Sequence, residues 1–104
     1  MEVVAAHPSV RKFINTLQDP EGSKTLRLLE TLSEKGPNLG MPLSRYLGDH
    51  LFELRVLGAR SVRILYTPYN NRIFLLHAFV KKSQKVSKHD LKLARARLAH
   101  LRTI

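Results

Sequence analysis

The sequence predicts an α+β domain in which an N-terminal helical hairpin packs on an antiparallel β-meander and a C-terminal helix closes the chain. Three observations predict it. Apolar residues recur at helical spacing before residue 36 and again after residue 87. Between 51 and 80 they alternate or run together over strand lengths. The strand-like runs are joined by connections too short for anything but antiparallel neighbours. With 104 residues the chain, 1–104, is expected to form one domain, and one of this size buries roughly 60–70% of the surface its unfolded chain exposes.

Val3 to Ala5 is the weakest element, a short strand too brief and alanine-rich to stand on propensity. After Pro8, the residues Val10, Phe13, Ile14 and Leu17 fall at i, i+3, i+4, i+7 and give one apolar face, predicting a helix over 8–17. Asp19-Pro20-Glu21 reads as a second helix start, with Asp as N-cap and Pro at the first helical position. Leu26, Leu28, Leu29 and Leu32 supply its apolar stripe, and Gly36-Pro37 ends it. Residues 37–50, with Pro37, Gly40 and Pro42, read as a connecting loop. Three strands follow: Leu51 to Leu57, Ser61 to Thr67 and Arg72 to Val80. Gly58-Ala59-Arg60 and Pro68-Tyr69-Asn70-Asn71 are the turns between them. Alternation puts Phe52, Leu54 and Val56 on one face with Glu53 and Arg55 on the other, and Val62, Ile64 and Tyr66 opposite Arg63, Leu65 and Thr67. The third strand is apolar on both faces and is expected to carry helices on at least one side. Ser87-Lys88-His89-Asp90 opens the last helix with a capping box. Leu91, Ala94, Leu98 and Leu101 form its apolar line, and Lys92, Arg95 and Arg102 face elsewhere.

Composition narrows function. With 43% apolar and 25% charged residues the chain lies in the globular range, outside the disordered one. There is no cysteine, which removes disulfides, thiolate metal sites and a thiol nucleophile. No stretch approaches the roughly 20 apolar residues that span a bilayer, and the first residues lack a signal-peptide pattern, so a cytoplasmic protein with no membrane role is expected. The net charge of +10 is one-sided. Residues 1–50 hold six Lys/Arg against six acids, whereas residues 51–104 hold twelve against Glu53 and Asp90 alone. A field of that shape attracts polyanions, foremost the phosphate backbone of a nucleic acid.

The densest feature is Lys81-Lys82-Ser83-Gln84-Lys85, a basic loop before the last helix. Together with Arg55 and Arg63 it offers five cations for one concave phosphate-binding surface, provided the fold brings them together. Cutting RNA needs no metal when the neighbouring 2′-OH is the nucleophile. A base takes its proton, an acid protonates the leaving 5′-oxygen, and cations stabilise the phosphate. His77, His50, Tyr66, Glu53 and the lysines are the candidates for proton transfer. Each has a plainer alternative: a hydrogen-bonded core histidine for His77, core packing for Tyr66, and an ion-pair partner positioning Arg55 for Glu53. No Gly-rich phosphate loop, HExxH, GxSxG or paired-carboxylate cluster occurs, and no cofactor or metal is expected.

Gly36-Pro37-Asn38-Leu39-Gly40-Met41-Pro42-Leu43, Leu51-Phe52-Glu53-Leu54-Arg55, Val62-Arg63-Ile64-Leu65-Tyr66 and Leu75-Leu76-His77-Ala78-Phe79-Val80-Lys81-Lys82-Ser83-Gln84-Lys85 occur in that order before a closing helix. In this the chain resembles the phage-derived Gp49-like, HigB-type branch of the RelE toxin superfamily, over about residues 8 to 102. The resemblance implies a RelE-like, microbial ribonuclease-type fold. It also implies the toxin half of a type II toxin-antitoxin pair, which cuts mRNA, usually on the ribosome, without metal. By position, Arg55, Arg63 and Lys82 would then be catalytic, the first two on the phosphate and Lys82 near the leaving group. Lys81, Lys85, Tyr66 and His77 would complete the substrate site. Expected partners are mRNA, the ribosome and a cognate antitoxin, often a helix-turn-helix protein. Glu53 stands where the ribosome-dependent archetype has a lysine, which leaves the general base open. The same charge pattern also fits a non-catalytic RNA-binding module or translation regulator, or a structural partner docking an acidic protein.

Overall fold

The computed structural model describes residues 1–58 and 60–103. A five-stranded sheet in the order β1-β5-β4-β3-β2 separates two layers of helix. The strands are β1 (Glu2–Ala5), β2 (Ser44–Gly48), β3 (Leu51–Val56), β4 (Val62–Tyr69) and β5 (Arg72–Val80), and the helices are α1 (Pro8–Thr16), α2 (Glu21–Lys35) and α3 (Lys88–Thr103).

The meander β3-β4-β5 is antiparallel, as the short connections require. Two strands extend it. β1 is real and pairs parallel to β5 at one edge, its ladder prolonged by the Ala6 N–H donating to the Leu75 carbonyl at 2.8 Å. The parallel pair makes the sheet mixed. β2 lies inside the run expected to be loop, after a short 3₁₀ turn at Gly36–Asn38, and pairs antiparallel to β3 at the other edge. Its five residues carry little strand propensity, and pairing with β3 is what makes them a strand.

Local signals hold well elsewhere. Pro8 opens α1, with the His7 imidazole Nδ1 accepting from the Ser9 N–H at 3.1 Å. Asp19 accepts from the Ser23 N–H at 3.0 Å, although Pro20 precedes α2 instead of opening it. Gly36, at φ 55°, ends α2 in a conformation that costs other residues Cβ strain. The β4-β5 turn is tighter than expected: Pro68 and Tyr69 remain in the strand, and Asn70 and Asn71 alone turn, at φ 51° and 58°. Of the β3-β4 turn, Ala59 lies outside the described residues.

Each face of the sheet has its own core. Val10 of α1 and Leu28 and Leu32 of α2 pack on Leu54, Val56, Val62, Ile64, Tyr66, Ile73 and Leu75. On the opposite face Ala94 and Leu98 of α3 pack on Leu51, Leu65, Leu76 and Phe79. β5 therefore carries α1 on one side and α3 on the other, which is why its sequence is apolar in both registers. A β-bulge sharpens this. Leu65 pairs with His77 and Tyr66 with Leu75, so Leu76 is an extra residue, and the consecutive Leu76 and His77 both face α3. Arg97 of α3 donates from Nη1 to the Leu76 carbonyl at 2.8 Å, occupying an acceptor at the disrupted ladder. α3 packs on β5 and β4, leaving the same face of β3 and β2 beside it as the wall of a cleft. Among the described residues no helix is long and apolar enough to cross a membrane.

Candidate nucleic-acid interface

The alternation of β3 and β4 puts Glu53, Arg55 and Arg63 on the α3 face, and the ladder register sets Arg55 directly opposite Arg63, with Arg45 of β2 opposite Glu53. Two arginines facing each other across a ladder repel. Glu53 offsets this: its carboxylate lies 3.7 Å from Arg55 Nε and 3.6 Å from Arg63 Nε. The Glu53 side chain is 1% exposed, against 25% for Arg55 and 10% for Arg63. A buried carboxylate is tolerable only where cations face it, and here two do. These separations exceed hydrogen-bond length, and among the described residues Glu53 Oε2 and both Nε atoms have no hydrogen-bond partner. Arg63 Nη1 donates to the carbonyl of Val62 at 3.0 Å. Burial pushes the Arg63 guanidinium below its ordinary value, the Glu53 charge opposing and Arg55 adding to the shift.

The basic loop is anchored at both ends. Lys81 N–H donates to the Ser61 carbonyl at 2.7 Å. At the start of α3 the Asp90 N–H donates to Ser87 Oγ at 3.1 Å while Ser87 Oγ donates back to Asp90 Oδ2 at 2.6 Å, the expected capping box. Asp90 Oδ1 also meets His77 Nε2 at 2.6 Å, and the His77 ring stacks on Phe79 with centroids 5.2 Å apart. Burial raises the Asp90 pKa, but the hydrogen bonds from Ser87 and His77 and the charges of His77 and His89 outweigh it, leaving the carboxyl below its ordinary value.

Between the loop, α3 and the β2-β3 face lies a cleft of about 320 Å³. Arg45, Lys81, Lys85 and Arg95 line it with Gln84, and Glu53 is the one carboxylate among its lining residues. Lys81 and Lys85 thus line it with Arg45 and Glu53 of the sheet. Arg55 and Arg63 do not line it and are linked to it only by their ion pairs with Glu53; Arg55 lines a separate pocket, of about 300 Å³, with Lys24, Arg27 and Thr31 of α2. Lys82 does not line the first cleft either; it belongs to a second cleft on the other side of the loop, with Arg60 and Phe13. One further expectation is corrected. Tyr66 is fully buried in the core of the opposite face, its hydroxyl bonded to Ser44 Oγ and its pKa raised by burial against that bond, so it offers no surface to a substrate. His77 is committed to Asp90 and ties β5 to α3. His50 lies in the β2-β3 turn at φ 67°, its carbonyl accepting from Thr67 Oγ1 at 2.6 Å.

Sequence reasoning missed Arg45, because its segment was read as loop. It also set Arg95 aside as facing elsewhere. The helical spacing of Leu91 and Arg95, one turn apart, was a usable signal for the latter, since both line the cleft. Among the described residues no group of three or more His, Asp or Glu side chains is placed to hold a metal ion.

No curated protein matches the chain. The family described as phage derived protein Gp49-like (DUF891) matches residues 12–99, from within α1 through β2-β5, the basic loop and most of α3. The chain therefore belongs to the phage-derived Gp49-like family, a toxin-like family.

Proposed function

We propose that the chain is the toxin of a type II toxin-antitoxin pair, a RelE-like endoribonuclease of HigB type that cuts mRNA, on the ribosome, without a metal. The observation that carries this reading is the Glu53-Arg55-Arg63 group beside a cleft lined by Arg45, Lys81, Lys85 and Arg95. A cationic wall is what attack by a 2′-OH on its own phosphate calls for. Solvent water takes the 2′-OH proton; Glu53, 1% exposed and with Oε2 buried, holds Arg55 and Arg63 in place and does not reach the substrate. The 2′-oxygen bonds to phosphorus, the bond to the 5′-oxygen breaks, and a lysine ammonium of the loop, Lys81 or Lys85, gives that oxygen its proton. The products are a 2′,3′-cyclic phosphate and a 5′-hydroxyl. Arg55 and Arg63, held by Glu53, carry the charge that accumulates on the phosphate. Lys82, on the far side of the loop, is a substrate contact in this scheme.

Induced expression followed by primer extension on cellular mRNA tests it. Growth arrest with new 5′ ends for the wild type, and neither for Arg55→Ala, supports the reading; identical behaviour of the two sinks it. A second reading, an RNA-binding translation regulator without cleavage, is favoured by the burial of Arg63 and the bond it spends on Val62. It predicts arrest with no new 5′ ends. The toxin reading also calls for an antitoxin that covers the basic face, a helix-turn-helix protein encoded alongside; co-expression of the adjacent reading frame should restore growth and co-purify with the chain.

A further inference from the structure

The second cleft enters the scheme above only through Lys82 and the shared Lys81 and Lys85. It measures about 510 Å³ and shares Lys81 and Lys85 with the first, so these two side chains form the ridge between them. Its lining residues include half-buried Phe13 from α1, the buried Ala78 and Phe79 from β5, and the exposed Arg60, Lys82 and Ser83. Arg60 is exposed, but its backbone is held by α2, its N–H donating to Glu21 Oε1 at 3.3 Å. Asp90 also reaches this cleft. Its two oxygens are occupied by His77 and Ser87, each at 2.6 Å, which limits its repulsion of an incoming anion.

An accessible aromatic ring beside exposed cations suits one nucleotide, its base against Phe13 and its phosphate on Arg60 and Lys82. We propose that this second cleft is a subsite for a flanking nucleotide, so that single-stranded RNA crosses the Lys81-Lys85 ridge with a nucleotide engaged on each side. The inference rests on the RNA reading of the first cleft and adds to it a minimum substrate length and a place where sequence context is felt.

Fluorescence anisotropy with cleavage-resistant 2′-O-methyl oligouridylates, a dinucleotide and a hexanucleotide, tests it. The wild type is expected to bind the hexanucleotide more tightly. Arg60→Glu should weaken hexanucleotide binding about ten-fold and lower the salt slope by about one or two, the charge having been reversed, while leaving dinucleotide binding unchanged. Lys82→Glu should also weaken hexanucleotide binding, and both residues are exposed, so the variants should fold. If neither substitution moves hexanucleotide affinity while Arg45→Glu weakens both lengths, the RNA is confined to the first cleft and the inference is overturned. If the wild type binds neither length, the RNA reading itself falls and takes this inference with it.

Discussion

Arg55 sits directly across the β3-β4 ladder from Arg63, and the two like charges share a single carboxylate, Glu53, that is almost wholly withdrawn from solvent. Strand periodicity put Glu53 and Arg55 on one face of β3 and Arg63 on the polar face of β4, and the β3-β4 register brings the three together. The shared carboxylate is a property of the register.

Glu53→Gln keeps the side chain's shape and removes the charge that both arginines face. The buried cations are then left uncompensated, and unfolding in urea should show a loss of about 3 kcal/mol. RNA cleavage should fall as well, since the same change frees Arg55 and Arg63 from the carboxylate that holds them. Adding Arg63→Met should recover part of the stability and none of the activity; recovery of both would detach the group from function.

The four cations of the first cleft should act as phosphate contacts. Single alanine substitutions of Arg45, Lys81, Lys85 or Arg95 are each expected to lower the slope of log K against log salt for single-stranded RNA by about one. Lys92→Ala, on α3 but not among the cleft residues, should leave the slope unchanged. Equal effects at all five positions would mean a diffuse charged coat in place of a site.

Asp90 links pH to the docking of α3. Its folded pKa lies below the unfolded value near 3.8, so its contribution to stability is present above that value and is lost as pH falls through the lower folded one. Asp90→Asn should therefore be less stable than the wild type at neutral pH, and the difference should shrink below about pH 4. Ser87→Ala removes the cap partner and should cost about 1 kcal/mol at neutral pH. Thermal melts of the three proteins across that range give the comparison.

Tyr66→Phe separates a core role from a substrate role. It leaves Ser44 Oγ without its partner in a buried setting, and a loss of about 1–2 kcal/mol is expected. Cleavage at a temperature where the variant is folded should equal that of the wild type. A selective fall in activity with unchanged stability would return Tyr66 to the site.

Much of the fold was legible because its signals are local. The apolar spacing of Val10, Phe13, Ile14 and Leu17, the Ser87-Asp90 box and the short connections of the meander each specify geometry within a few residues. β2 was illegible for the opposite reason. Ser44–Gly48 becomes a strand by borrowing the edge of β3, and no property of those five residues announces a partner. Tyr66 was mistaken as a site residue because residue type points to chemistry, whereas burial is decided by what packs on the strand.

The sequence by itself determined that this protein is α+β, that its net positive charge comes wholly from residues 51–104, and that Glu53 and Arg55 share one face of their strand. Only the tertiary structure decided that Glu53 stands between Arg55 and Arg63, that Arg45 and Arg95 join Lys81 and Lys85 around it, and that Lys82 turns to another cleft. The physical reason is that periodicity reports the direction of a side chain relative to its own strand or helix. Which groups meet there depends on the register of β3 with β4, the bulge at Leu76 and the placement of α3, all of them contacts between residues far apart in the chain.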